Sequence, residues 1–198
     1  MKTKNSVFLT VAGVVVVLFS CKTGEESTHQ GTQALHPLKV RLKDSSLLDQ
    51  RLENNRKVSL WHNLDRLEER GYFENFRLAA GLIEGEYRGN RHGYADSEVY
   101  KFIEGASYIY ERTLNPKIME AMDSIIYLIS LAQKPNGHLQ TRDAVRGIDT
   151  IYADNAWMNH RMYNAGHLYE GAVAHHKATG KNNLLSIALK NAEMMCGI

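Results

Sequence analysis

The feature that most constrains this 198-residue chain is a helical period that is interrupted only by turn signals and that repeats itself at long range. Glu104-Gly105-Ala106 recurs as Glu170-Gly171-Ala172, and at the same offset of 66 residues Ile118-Met119 becomes Leu184-Leu185. An offset held across helix, turn and helix marks one αα-hairpin used more than once. Asp44 or Ser45 can cap a first segment carrying Leu47, Leu48 and Leu52. A stripe of Val58, Leu60, Trp61, Leu64 and Leu67 follows and ends at Gly71, after which Tyr72 to Leu82 carries Phe73, Phe76 and Leu78. The next helix places Val99, Phe102, Ile103, Ala106, Ile109 and Tyr110 inward. Asn115-Pro116 opens its partner, because proline suits the first helical turn. Ile118, Met122, Ile125, Ile126, Ile129 and Leu131 bury that partner, which stops at Pro135-Asn136-Gly137. A last hairpin runs from Trp157 to Thr179, turns at Gly180-Lys181-Asn182 and returns through Leu184, Leu185, Ile187, Leu189 and Met194. The expectation is an all-α fold of about three hairpins. It is preceded by a short edge strand over Pro37 to Lys43, where apolar and basic residues alternate.

The N-terminal stretch stands outside the fold. Lys2 and Lys4 precede an apolar run from Val7 to Phe19, shorter than the roughly 20 residues of a membrane span. Residues 1–20 therefore read as a signal peptide. The run ends Leu18-Phe19-Ser20-Cys21, which resembles the bacterial lipobox, so Cys21 is the expected lipidation site. Residues 21–36 are polar and aperiodic and read as a flexible tether. The expected product is an exported bacterial lipoprotein, periplasmic or anchored in the outer membrane through Cys21. Cleavage before Cys21 removes two of the 24 basic residues and none of the 22 acidic ones, leaving 22 of each. A neutral chain without a clustered basic face gives no support for a nucleic-acid partner. With Cys21 lipidated, Cys196 is the one remaining cysteine, which forbids an intrachain disulfide and reads as a small buried hydrophobe. Residues 37–198 are enough for one domain held by its core.

Polar residues gather in a few places. His160, Tyr163, Asn164 and His167 fall at i, i+3, i+4 and i+7, which on a helix sets all four on one face within two turns. That polar stripe at the mouth of an apolar helix is the first candidate for a ligand site. The histidine spacing is a poor match to the i, i+4 pairs of zinc sites, so no metal is assigned there. Asp96 and Ser97 stand where a loop enters a helix, as caps or as polar contacts. Glu84, Glu86 and Glu104 lie on or beside polar surface and read as solvated. The segment His138 to Asn155, with Asp143, Arg146, Asp149 and Asp154, reads as a loop with a broken turn. Trp61 reads as core, and Trp157 as core or a ring free to stack on a ligand.

Several ordered pieces together are more specific than any one alone. They are residues 74–81, Glu-Asn-Phe-Arg-Leu-Ala-Ala-Gly; residues 96–104, Asp-Ser-Glu-Val-Tyr-Lys-Phe-Ile-Glu; residues 132–139, Ala-Gln-Lys-Pro-Asn-Gly-His-Leu; Tyr163 to Gly171; and Ala178-Thr179-Gly180. From about Leu38 to Met195 the chain resembles the N-terminal part of glycoside hydrolase family 127, the beta-L-arabinofuranosidase-like six-hairpin glycosidases. The resemblance implies part of an (α/α)6 toroid whose inner helices end in loops that build a sugar pocket. It also implies a cysteine nucleophile beside a zinc ion held by further cysteines and a glutamate. Those residues sit in the later half of the family, so neither catalytic residues nor zinc ligands are expected before Ile198. By the same resemblance His160 and His167 line the sugar pocket, with Tyr163, Asn164, Asp96 and Ser97 as further substrate contacts. Arg161 departs from the glutamate often found beside the first histidine, and His138 from the usual tyrosine. The expected function is the N-terminal part of an enzyme acting on arabinofuranose-containing plant or host glycans. The alternative is a non-catalytic helical lipoprotein that binds glycan or a protein partner.

Overall fold

The computed structural model describes residues 35, 37–89, 93–148 and 160–197. It divides the chain into a unit over residues 1–40 and a unit over 41–198. The expected signal peptide, Cys21 and nearly all of the expected tether lie outside the described residues, as do Asp149, Asp154 and Trp157. In the first unit Pro37–Lys39 form a short 3-10 turn. The expected strand over 37–43 is therefore not formed, and no strand occurs among the described residues. Alternation alone gives an extended segment nothing to pair with, and a lone strand without a sheet partner has no ladder to satisfy its backbone.

The second unit is built from α1 (Leu47–Asn54), a π-helical continuation over Asn55–Ser59, α2 (Leu60–Glu69), α3 (Tyr72–Ala79), α4 (Ala95–Thr113), α5 (Pro116–Ala132), α6 (Thr141–Val145), α7 (Arg161–Thr179) and α8 (Asn183–Cys196). Each boundary has a local cause. Ser46 caps α1 by accepting from the Asp49 N–H at 3.2 Å, one residue beyond the two candidates named above. Asn115 caps α5, its Oδ1 accepting from the Lys117 N–H at 3.0 Å with Pro116 in the first turn. Gly71, with φ 73°, joins α2 to α3 in the left-handed conformation that glycine adopts at little cost.

The helices pack as two rows. Inner neighbours are α2 with α4 and α4 with α7; outer neighbours are α3 with α5 and α5 with α8. Each inner helix is followed in the chain by its outer partner, so three hairpins stand side by side in the toroid-type arrangement. The core lies between the rows. Val99, Ile103 and Ala106 of α4 meet Ile118, Met122, Ile126 and Ile129 of α5 and Leu168, Ala172 and Leu184 of α7 and α8, all fully buried. Burying each of the larger side chains contributes about 1.5–3 kcal/mol. Tyr110 is half-buried, while Leu131 and Leu189, read as inward, are exposed on the outer row. Trp61 packs partly buried against the core, as expected. Cys196 is exposed at the last turn of α8, so the expectation of burial fails: Gly197 ends the helix there, and among the described residues no element covers the thiol.

The repeat has a structural meaning. The α4 and α7 segments run in the same direction: Gly93, just before α4, meets Asn164 in the first turn of α7, and further along both helices the ligand atoms of Glu104, His167 and Glu170 lie within 4.8 Å of one another. The two copies of Glu-Gly-Ala are thus parallel neighbours. Gly171 lets the backbones close, since a Cβ there would sit 3.0 Å from the Tyr100 carbonyl oxygen.

Candidate functional site

The N-terminal halves of α4 and α7 and the short helix α6 converge at one end of the unit. Asp96 and Ser97 do not cap α4, which begins at Ala95. Ser97 instead donates its hydroxyl to the Tyr94 carbonyl at 2.7 Å. Asp96 is turned into the protein. Its carboxylate accepts from the Thr141 N–H at 2.8 Å and the Thr141 hydroxyl at 2.5 Å, a bond between residues 45 apart in sequence. Burial pushes the Asp96 carboxyl up to about 6, against the two Thr141 bonds, which favour the charged form. The same burial, with the Asp96 charge adding to it, raises the Tyr100 hydroxyl well above its ordinary range.

Beside this pair lies a second buried ionic group that the sequence did not reveal. Asp143 is fully buried and accepts from Arg161 Nε at 2.6 Å, with Arg142 at 3.5 Å and His138 Nε2 at 3.8 Å. Two guanidinium groups beside one buried carboxylate hold α6 against the first turn of α7. Asn164 donates to the Gly93 carbonyl at 2.7 Å, which ties α7 to the entrance of α4. Asp96, Ser97 and Asn164 are at most 1% exposed, so they underlie the surface rather than form it.

What faces outward is an aromatic ladder. Tyr94 stacks edge-on against His160 at 5.8 Å, His160 against Tyr163 at 5.7 Å, and Tyr163 against His167 at 4.6 Å. Lys101 donates to the Tyr163 hydroxyl at 2.7 Å and lies 5.0 Å from its ring centre. His160 is the N-cap of α7 and adopts φ 50°, a left-handed conformation uncommon for a non-glycine residue. Such a conformation persists only where surrounding structure determines it. Here the Arg161–Asp143 pair follows at the next residue, and the ring is held between Tyr94 and Tyr163. Of the six residues read as substrate contacts, His160, Tyr163 and His167 share this face, with Asp96, Ser97 and Asn164 beneath it.

Chemically the face offers hydroxyl, ammonium and imidazole groups on half-exposed rings, a combination suited to stacking on and hydrogen bonding to a polyol. His167 Nδ1 is 3.0 Å from Glu170, its neighbour one turn on, and Glu104 adjoins both. Glu104 accepts from the Tyr108 hydroxyl at 3.0 Å, and Glu170 is exposed. Glu84 and Glu86 are exposed on the loop after α3. A zinc site of the thiolate-rich kind needs several cysteines converging on one ion, and among the described residues Cys196 is the one cysteine present. The described residues do not supply that thiolate donor set, and the ligand atoms that do gather within 4.8 Å are those of Glu104, His167 and Glu170.

Comparison with known proteins bears on the family and the fold. The family profile described as "Beta-L-arabinofuranosidase, GH127 catalytic domain" matches residues 39–198. A curated protein described as "Non-reducing end beta-L-arabinofuranosidase", from Bifidobacterium longum subsp. longum, is 32% identical over 126 residues, covering 61% of this chain and 18% of its own length. Among solved structures, a GH127 beta-arabinofuranosidase is 36% identical with a TM-score of 0.71. A GH127 beta-L-arabinofuranosidase from Geobacillus stearothermophilus T6 is 32% identical with a TM-score of 0.74. Both alignments cover 80% of this chain and 26% of the other, so the chain spans about a quarter or less of the length of the relatives it matches.

Proposed function

This chain belongs to the beta-L-arabinofuranosidase family defined by the GH127 catalytic domain, and from that membership we propose that its α4/α7 face is one wall of a pocket for arabinofuranose-containing glycans. The observation that carries the reading is the ladder Tyr94, His160, Tyr163 and His167, braced by Lys101 and set on a buried ionic layer. Rings held edge to face at the ends of two packed helices present hydrogen-bonding groups at fixed positions, which is what discrimination among sugar hydroxyls requires. In this reading His160, Tyr163 and His167 touch substrate, while Asp96, Ser97 and Asn164 position the loops beneath them. Bond cleavage then belongs to residues other than these, and the zinc chemistry of the family to ligands other than these.

The test uses the full chain. Methyl beta-L-arabinofuranoside is titrated while the imidazole signals of His160 and His167 are followed by NMR, and release of p-nitrophenol from p-nitrophenyl beta-L-arabinofuranoside is measured in parallel. Saturable shifts at both histidines, lost in Tyr163→Ala, are expected without hydrolysis. Unchanged histidine signals would remove the pocket, and steady turnover would overturn the division of labour.

We further propose export and membrane attachment through lipidated Cys21, supported by the apolar run and the lipobox-like Leu18-Phe19-Ser20-Cys21. Among the described residues no helix is long and apolar enough to cross a membrane.

A further inference from the structure

A cavity that shares Lys101 with the proposed sugar wall carries a different chemistry. It lies between α2 and α4, has a volume of about 340 Å³, and is floored by Leu67, Tyr72 and Phe102, all buried. Its rim holds Arg66, Arg70 and Lys101, with Glu98 as the one acid. The charges around it do not cancel. Arg66 pairs with Glu69 and Lys101 with Glu98 at 2.8 Å, whereas Arg70 makes no side-chain ion pair among the described residues. Three cations against two carboxylates leave one positive charge. Guanidinium groups present planar forks that match a carboxylate in two-point fashion. An aromatic and aliphatic floor beneath a polar rim is also the usual build of a small-ligand pocket, whose volumes run from roughly 300 to 1,000 Å³.

We propose that this cleft is a subsite for a carboxylate-bearing sugar, a uronate residue of the same glycan whose arabinofuranose lies on the α4/α7 wall. The link between the two is Lys101, which lines the cleft and donates to the Tyr163 hydroxyl at 2.7 Å. Lys101 therefore belongs to both surfaces, and a glycan seated over Tyr163 is proposed to extend past it into the cleft. Charge selects carboxylate over phosphate: a uronate brings one negative charge to the one left over, whereas a phosphate monoester brings about −1.5 to −2. The proposal rests on the reading of the wall as a sugar surface, and the experiment separates the two.

The full chain is titrated with D-galacturonate, D-galactose and inorganic phosphate, following backbone amide signals. Galacturonate is expected to shift the amides of Arg70, Tyr72 and Phe102 saturably, with galactose at least about tenfold weaker because it lacks the carboxylate. Arg66→Gln and Arg70→Gln alter exposed side chains, and each is expected to weaken galacturonate roughly tenfold. Galacturonate binding no tighter than galactose, binding indifferent to both arginines, or phosphate binding as tightly as galacturonate would each overturn the uronate subsite. Methyl beta-L-arabinofuranoside supplies the independent arm. Its shifts at His160 and His167 without any galacturonate response sink the cleft and leave the wall standing. An arginine-dependent galacturonate response without those shifts upholds the carboxylate site and sinks the wall.

Discussion

The two glycines of the repeat, Gly105 and Gly171, should respond oppositely to the same substitution. Both lie inside helices, where replacing glycine by alanine gains about 0.5–1 kcal/mol through reduced backbone freedom of the unfolded chain. A Cβ added at Gly105 meets nothing within 4 Å, so Gly105→Ala should realise that gain in full. At Gly171 the added Cβ would stand 3.0 Å from the Tyr100 carbonyl oxygen, 3.7 Å from its carbon and 4.0 Å from the Glu104 nitrogen. All three are helix backbone, so no side chain can swing aside. Restoring ordinary contact at 3.4 Å requires α7 to retreat by 3.4 − 3.0 = 0.4 Å. That retreat loosens the seam in which Ala106, Leu168 and Ala172 are packed with at most 1% exposure. Overpacking of this kind costs about 1–3 kcal/mol, which exceeds the propensity gain. The two variants should therefore differ by about 1–3 kcal/mol. In a unit of this size 1 kcal/mol moves Tm by about 2–4 °C, so Gly105→Ala should melt a few degrees higher and Gly171→Ala level or lower. Urea denaturation gives the same comparison without extrapolating in temperature. Equal stabilisation by both alanines would refute the close approach of α4 and α7.

Further expectations rest on other single features. Asp143→Ala leaves Arg161 buried without its carboxylate and should cost about 3–5 kcal/mol, whereas the double change Asp143→Leu with Arg161→Met should recover much of it, as read by urea midpoints. Leu114 caps α4 at φ 49° with its side chain 67% exposed, so Leu114→Gly should raise stability by about 1 kcal/mol in a thermal melt. His175 is fully buried, and desolvation, opposed by Asp123 and reinforced by Lys181 and His176, lowers its pKa below 6.5; its contribution is present above pH 6.5 and lost as pH falls through the folded value. Asp96 has the opposite sign, since a carboxyl raised from 3.8 to about 6 favours the fold below that window and loses this as pH rises through about 6. His175→Leu should thus leave the Asp96 effect exposed, and its urea midpoint should rise between pH 7 and pH 5 where that of the parent falls or stays level. Cys21→Ser should abolish incorporation of labelled palmitate in cells if that cysteine is the lipid anchor.

The parts of this fold that could be read from the chain are those fixed by near neighbours. Val99, Phe102, Ile103, Ala106 and Ile109 announce a buried helix face because the 3.6-residue period is written within a few turns. Asn115-Pro116 announces a start because capping involves the next two residues only. The polar core of the site is built from distant pairs. Asp96 meets Thr141 across 45 residues and Asp143 meets Arg161 across 18, and nothing local distinguishes those residues from solvated ones. A faint signal was present in Arg161, which stands where the resemblance leads one to expect glutamate. The strand expected over 37–43 failed for a related reason, since alternation states which faces differ but not whether a partner strand exists.

Arg161 and Asp143 explain more together than either does alone. A glutamate at position 161 would place its charge against the buried Asp143, and two carboxylates in a dry site repel strongly enough that one must take up a proton. An arginine there turns the same position into an attraction and fixes α6 to α7 at the residue after His160. The left-handed backbone at His160 costs about 1–3 kcal/mol, and the ion pair at its C-terminal neighbour holds the chain in that conformation. The ring of His160 is thereby set between Tyr94 and Tyr163, where it joins the ladder that faces outward. The identity of residue 161 therefore acts on the surface through its neighbour: what it pairs with beneath the wall decides where the first histidine stands on it.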